Sequence, residues 1–177
     1  MPTSRVAMLL SALAAMLIVG CGPHQENSAP SSLLVDVAAA KTAYIYLTAG
    51  YNSNNLDANF DGYANGRLVI TVPVGYRVVL NVTNDGGIPH DAGVYTVQNQ
   101  LAFAGAGDST TALEHNPSAG IMPGQSATFR FVADRIGSYR LADLLYSFPA
   151  HGRMHDSLGM WAAFRVARTG SPRVMAD

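Results

Sequence analysis

The chain has 177 residues, of which 49% are hydrophobic and 13% charged, and its formal net charge is −1. That composition supplies a full core for one domain and argues against extended disorder. The near-neutral charge, with scattered arginines and Lys41 as the sole lysine, gives no electrostatic reason to expect nucleic acid as a partner.

Residues 1–20 carry one positive charge, Arg5, followed by an almost unbroken apolar run from Val6 to Val19 and then Gly20-Cys21. A charged start, a short apolar stretch and small residues before a cleavage point are the layout of a secretory signal; the stretch is short for a bilayer-spanning helix, which needs about 20 residues. The tetrad Ile18-Val19-Gly20-Cys21 resembles the lipobox of bacterial lipoproteins, which implies an acylated Cys21 as the first mature residue. The expected location is extracytoplasmic, with the protein lipid-anchored to the cell membrane or, on the periplasmic side, to the outer membrane. Residues 21–32 are polar, contain Gly and Pro and have no periodicity, so they read as a flexible tether. Cys21 is the only cysteine, which excludes an internal disulfide and a cysteine-based zinc site.

Downstream the pattern is that of β-structure. Ala43–Leu47, Arg67–Pro73, Arg77–Thr83, Ala127–Val132, Tyr139–Leu141 with its neighbours, and Met160–Val166 are β-branched, aromatic or alternating runs. Gly, Pro, Asn and Asp between them predict an antiparallel sandwich or barrel. The Ala-, Gly- and Ser-rich segment Leu101–Gly120 predicts a long loop, with one short helix near Ser109–His115.

Three clusters carry candidate chemistry. The first is Asn84–His90, directly after a strong strand. The second runs from Pro149 through His151, Met154 and His155 to Met160. The third pairs His115 with Met122. Imidazole nitrogen together with thioether sulfur suits copper better than calcium or magnesium. Singly, a histidine after a strand reads as a turn residue and Met160 before Trp161 as core; two such loops in one all-β domain shift the balance toward a metal site. No G-x-S-x-G elbow, HExxH helix or cysteine nucleophile appears, so the chain does not read as an enzyme.

The stretch Phe60–Gly66 with RLVITVPVGYRVVLNVTNDGGIPHDAGV, then Gly120–Ser126, Gly137–Leu141 and Gly159-Met160-Trp161, resembles sulfocyanin, a blue copper protein of cupredoxin fold. The resemblance covers about Phe60–Val166. It implies an all-β, cupredoxin-like Greek-key β-sandwich or barrel over residues 33–170, with residues 171–177 as a C-terminal tail. It implies one copper ion held by His90 and Met160, with His155 or His151 as the second imidazole. His155 keeps the family's spacing to Met160; His151 follows Pro149-Ala150, like the family's Pro-Gly-His. The family's ligand cysteine falls on Ala150, Tyr146 or Asp143, depending on the alignment. None is a cysteine, so the expected copper site is non-blue. The expectation is a membrane-tethered copper carrier or modified electron-transfer protein with a redox or copper-accepting protein partner; the alternative is a cupredoxin-fold binding module that has lost its metal, contacting a partner through the long loop.

Overall fold

The computed structural model describes residues 31–108, 120–145 and 154–176. Among the described residues nine strands form two sheets. In chain order they are β1 (Leu34–Val37), β2 (Thr42–Ala49), β3 (Leu68–Pro73), β4 (Arg77–Asn84), β5 (Gly93–Tyr95), β6 (Ser126–Val132), β7 (Gly137–Ala142), β8 (Trp161–Ala167) and β9 (Arg173–Ala176). One sheet has the order β1-β2-β4-β6, the other β5-β7-β8-β3-β9. Helical structure among the described residues is confined to short 3-10 turns.

Alternation explains the strands. In β8 the buried residues Ala162, Phe164 and Val166 interleave with outward positions, and β2 buries Ala43, Ile45, Leu47 and Ala49 in the same way. β3 is buried almost throughout and lies inside its sheet, between β8 and β9. The inner faces meet in one core containing Ile45, Leu68, Ile70, Leu80, Phe131, Leu141 and Phe164. Each large apolar side chain buried there contributes about 1.5–3 kcal/mol.

The sheets are mixed, which corrects the antiparallel expectation. β2 pairs with β4 in parallel, from Thr42 opposite Arg77 to Ala49 opposite Asn84, and β3 pairs with β8 in parallel. The cause is the route of the chain. Between β2 and β4 it crosses to the other sheet, lays down β3 and returns through Val74-Gly75-Tyr76, so β2 and β4 run the same way. Three strands lay outside the sequence expectation. β1 is short and mostly exposed, β5 has only three residues, and β9 occupies the segment expected as a tail, pairing antiparallel with β3. Runs of three or four residues are too short to display a period of two.

The start of the Leu101–Gly120 segment packs inward. Ala102, Phe103 and Ala106 belong to the core, and the Phe103 ring stacks on Phe131 with centroids 5.4 Å apart. The helix expected near Ser109–His115 lies outside the described residues, as do the signal, Cys21, His115 and His151.

Candidate metal centre

β4 ends at Asn84, whose wholly buried side chain organises the adjoining turn. Its amide nitrogen donates to the carbonyls of Ile88 (2.8 Å) and Ile121 (2.7 Å), while its oxygen accepts the Gly86 N–H at 2.8 Å. The turn it closes delivers His90, whose backbone exchanges two hydrogen bonds with Ile121 (3.1 and 2.6 Å). His90 is thus held by its main chain before its ring makes any contact, and the ring itself is buried. There is little slack. A Cβ at Gly86 would lie 2.9 Å from His90 Nε2, and one at Gly50 would lie 3.2 Å from the same atom.

The other half of the site comes from the connection between β7 and β8. Asp143 follows β7 directly; its N–H donates to the Met160 carbonyl (3.1 Å) and its carbonyl accepts from Asp156 N–H (2.8 Å). His155 opens a 3-10 turn, Asp143 and Met160 bracket that turn, and the Met160 N–H donates to the His155 carbonyl at 3.1 Å. An ion pair from Arg140 to Asp156 (3.3 Å) ties the turn back to β7.

These elements place Nδ1 of His90 2.8 Å and Nδ1 of His155 2.7 Å from one oxygen, Oδ2 of Asp143. The other carboxylate oxygen accepts the Leu145 N–H at 2.8 Å. The two imidazole centroids are 5.1 Å apart, with ring planes tilted by 58°. All three residues are buried, and their ligand atoms lie within 4.8 Å of one another.

Burial alone would raise the Asp143 pKa, but the hydrogen bonds from His155 and His90 outweigh it and hold the carboxyl below its usual 3.8. Asp143 is therefore an anion at neutral pH. Next to it, burial pushes Asp91 up to about 8, with repulsion from Asp143 adding to the effect. Asp91 accordingly stays protonated at pH 7 and adds no second negative charge. Tyr95, itself buried and displaced upward by burial and by Asp91, donates to Asp91 Oδ2 at 3.1 Å.

The sequence-derived ligands fare unequally. His90 and His155 come together; Met160 is wholly buried in the core, and its backbone is bonded to both Asp143 and His155. Met122, by contrast, is largely exposed. Of the three positions offered for the family's ligand cysteine, Asp143 is the described one, and it lies beside both imidazoles. Tyr146 and Ala150 lie outside the described residues, as does the rival ligand His151. Asp91 gave no signal of its own, since a buried carboxyl reads in sequence like any turn residue.

A metal ion fits these donors. Bonds of about 2.0–2.2 Å from one ion to imidazole nitrogen and carboxylate oxygen place neighbouring donors about 3.0 Å apart at a right angle and about 3.4 Å apart at a tetrahedral one. The observed 2.7 and 2.8 Å need only a small spread to admit the ion. The donor set N, N, O⁻ suits copper(II), whose preference is for nitrogen and oxygen. It does not fit a blue copper centre, which requires a thiolate: the chain's only cysteine is Cys21.

Two mixed β-sheets with a His–Asp–His cluster held between the end of β4 and the β7–β8 connection define a cupredoxin-like β-sandwich. The chain belongs to the sulfocyanin family: the Sulfocyanin (SoxE) domain matches residues 30–172. Among solved structures it is similar to auracyanin B, with 16% identity over 80% of this chain and 96% of that one (TM-score 0.48). It is also similar to the Na-dithionite-reduced auracyanin from the photosynthetic bacterium Roseiflexus castenholzii, with 19% identity over 70% and 96% of the respective chains (TM-score 0.43). A third similarity, to the multicopper oxidase mgLAC, has 26% identity over 61% of this chain and a TM-score of 0.43; this chain spans 31% of that oxidase. No curated protein matches the chain.

Proposed function

We propose that this protein is a membrane-tethered, extracytoplasmic cupredoxin that binds one copper(II) ion in a non-blue site and acts as a carrier, not as an enzyme. The observation that carries this reading is the convergence of His90 Nδ1 and His155 Nδ1 on Asp143 Oδ2, at 2.8 and 2.7 Å. His90, His155 and Asp143 hold the ion, and Met160 supplies the thioether as a fourth ligand. The carboxylate in place of a thiolate changes the chemistry. A hard oxygen stabilises copper(II) over copper(I), so the site favours holding and passing the oxidised ion over rapid one-electron cycling. Burial of all three ligands suits storage of an ion better than turnover of an organic substrate beside it. Acylation of Cys21, followed by the tether 21–32, keeps the domain at the membrane while leaving it free to reach a copper-accepting or redox protein.

The test is titration of the full chain with copper(II), followed by absorption and electron paramagnetic resonance. One equivalent bound without an intense blue band, and lost in His90→Ala and His155→Ala, supports the reading; no binding at micromolar copper overturns it. Asp143→Cys restores a thiolate and is expected to turn the copper-loaded protein blue. Cys21→Ser is expected to release the protein from the membrane fraction.

One observation favours a second reading, a binding module without metal. Two imidazole N–H groups donating to Asp143 satisfy that carboxylate without an ion. Under that reading copper binds no more tightly to the wild type than to His90→Ala.

A further inference from the structure

A second site lies on the outward face of the β1-β2-β4-β6 sheet. A cleft of about 530 Å³ opens there between β2, β4 and the connection from β2 to β3. That volume is in the range of small-molecule pockets. Its walls include Tyr46 from β2, and Tyr51, Asp61 and Tyr63 from the connection. Tyr46 and Tyr51 are 44% and 57% exposed, so both offer aromatic surface to a ligand instead of to the core.

Asp61 is fixed in place. Its backbone takes the left-handed conformation (φ 51°), its N–H donates to the Thr48 carbonyl at 2.8 Å, and its Oδ1 accepts the Thr48 N–H at 3.2 Å. The flanking bridges Ala49–Phe60 and Phe60–Tyr63 lock the turn around it. Oδ2, in contrast, is buried with no hydrogen-bond partner. No ion pair to Asp61 forms among the described residues. Burial pushes its pKa up to about 6, and the opposing influences are hydrogen bonds from Thr48, not a neighbouring cation. At pH 7 Asp61 is thus mostly ionised, with no cation paired to it among the described residues. A carboxylate with no counter-ion among the described residues, on a residue lining an aromatic-walled cleft, is complementary to a cation that carries apolar surface.

We propose that this cleft is a binding site for a small organic ammonium ion, recognised by the Asp61 carboxylate and the faces of Tyr46, Tyr51 and Tyr63. Size favours this class over an inorganic cation, which would leave most of about 530 Å³ to water. None of the cleft's lining residues is a candidate metal ligand, and its test does not depend on copper.

The experiment is a titration of the full-length protein, followed by nuclear magnetic resonance of the backbone amides. The two probes are choline and 3,3-dimethylbutan-1-ol, its uncharged isostere. Saturable shifts at Thr48, Asp61, Gly62 and Tyr63 are expected with choline, and binding of the neutral isostere is expected to be at least about ten-fold weaker. Asp61→Asn, which tolerates the left-handed backbone, should weaken choline to the level of the isostere. Tyr51→Leu, at a largely exposed position, should also weaken it without disturbing the fold. Equal binding of the two probes, choline binding unchanged in Asp61→Asn, or no shift with either probe overturns the proposal.

Discussion

Removal of the Asp143 carboxylate is the sharpest perturbation of the metal-free protein. Asp143→Ala removes the acceptor shared by the Nδ1 atoms of His90 and His155 and the acceptor of the Leu145 N–H, all on buried residues. Hydrogen bonds to a charged group are worth about 1.5–3 kcal/mol each, but three such losses do not add in full, because local rearrangement recovers part. Breaking a buried charged contact by deleting one partner costs about 3–5 kcal/mol. For a domain of this length that is a fall in melting temperature of about 10 °C. The assay is urea denaturation of copper-free protein between pH 3 and pH 7.5. Asp143 has a lowered folded pKa, so its contribution is complete above the unfolded value of 3.8 and is lost as pH falls through the folded one. The gap between wild type and variant should therefore be present at about pH 5 and shrink as pH falls below 3.8 through the folded value. A gap below about 1 kcal/mol at pH 7, or one that does not shrink as pH falls below 3.8, would refute the reasoning.

Asp61→Asn should show the opposite pH signature. The wild-type carboxyl has its pKa raised from 3.8 to about 6 by burial, so the folded state binds the proton more tightly and loses stability as pH rises between those values. Relative to Asp61→Asn, the wild type is expected to lose about 1–3 kcal/mol between pH 3.5 and pH 7, an amount reduced by solvent on the open side of the cleft; parallel denaturation curves would contradict this. Gly66→Ala should cost about 2–4 kcal/mol, since the residue has φ 75° and the new Cβ would overlap the Trp161 ring at Cζ3; unchanged thermal melting would show the ring to be free to move. Gly86→Ala should lower copper(II) affinity by about ten-fold or more by displacing His90, while Gly75→Ala, whose Cβ meets nothing within 4 Å, should leave it unchanged; competitive chelator titration separates the two.

Much of the fold was legible in the sequence because its longer strands alternate. Arg77–Thr83 and Ala127–Val132 lie within β4 and β6, whose registers put Leu80 opposite Phe129. Pairing direction was not legible, since whether β2 meets β4 in parallel depends on which sheet the intervening β3 joins. At the candidate metal centre, His90 was singled out by its place in the sulfocyanin-like motif and His155 by the family's spacing to Met160, with His151 as its rival. The replacement for the cysteine stayed open among Asp143, Tyr146 and Ala150. Only the backbone bonds from Asp143 to Met160 and Asp156 fix the loop register that places its carboxylate between the two imidazoles. Asp61 left no trace in the pattern, because burial of one oxygen in a turn depends on contacts with residues distant in sequence, such as Thr48.

The claim that an aspartate oxygen stands where a blue copper protein has its thiolate is tested most directly by spectroscopy of the protein loaded with one equivalent of copper(II). The expected result is a pale protein with the electron paramagnetic resonance spectrum of an ordinary nitrogen- and oxygen-ligated copper ion, two coupled imidazole nitrogens, and loss of that spectrum in Asp143→Ala. An intense blue absorption, or a copper spectrum unchanged by Asp143→Ala, would contradict it.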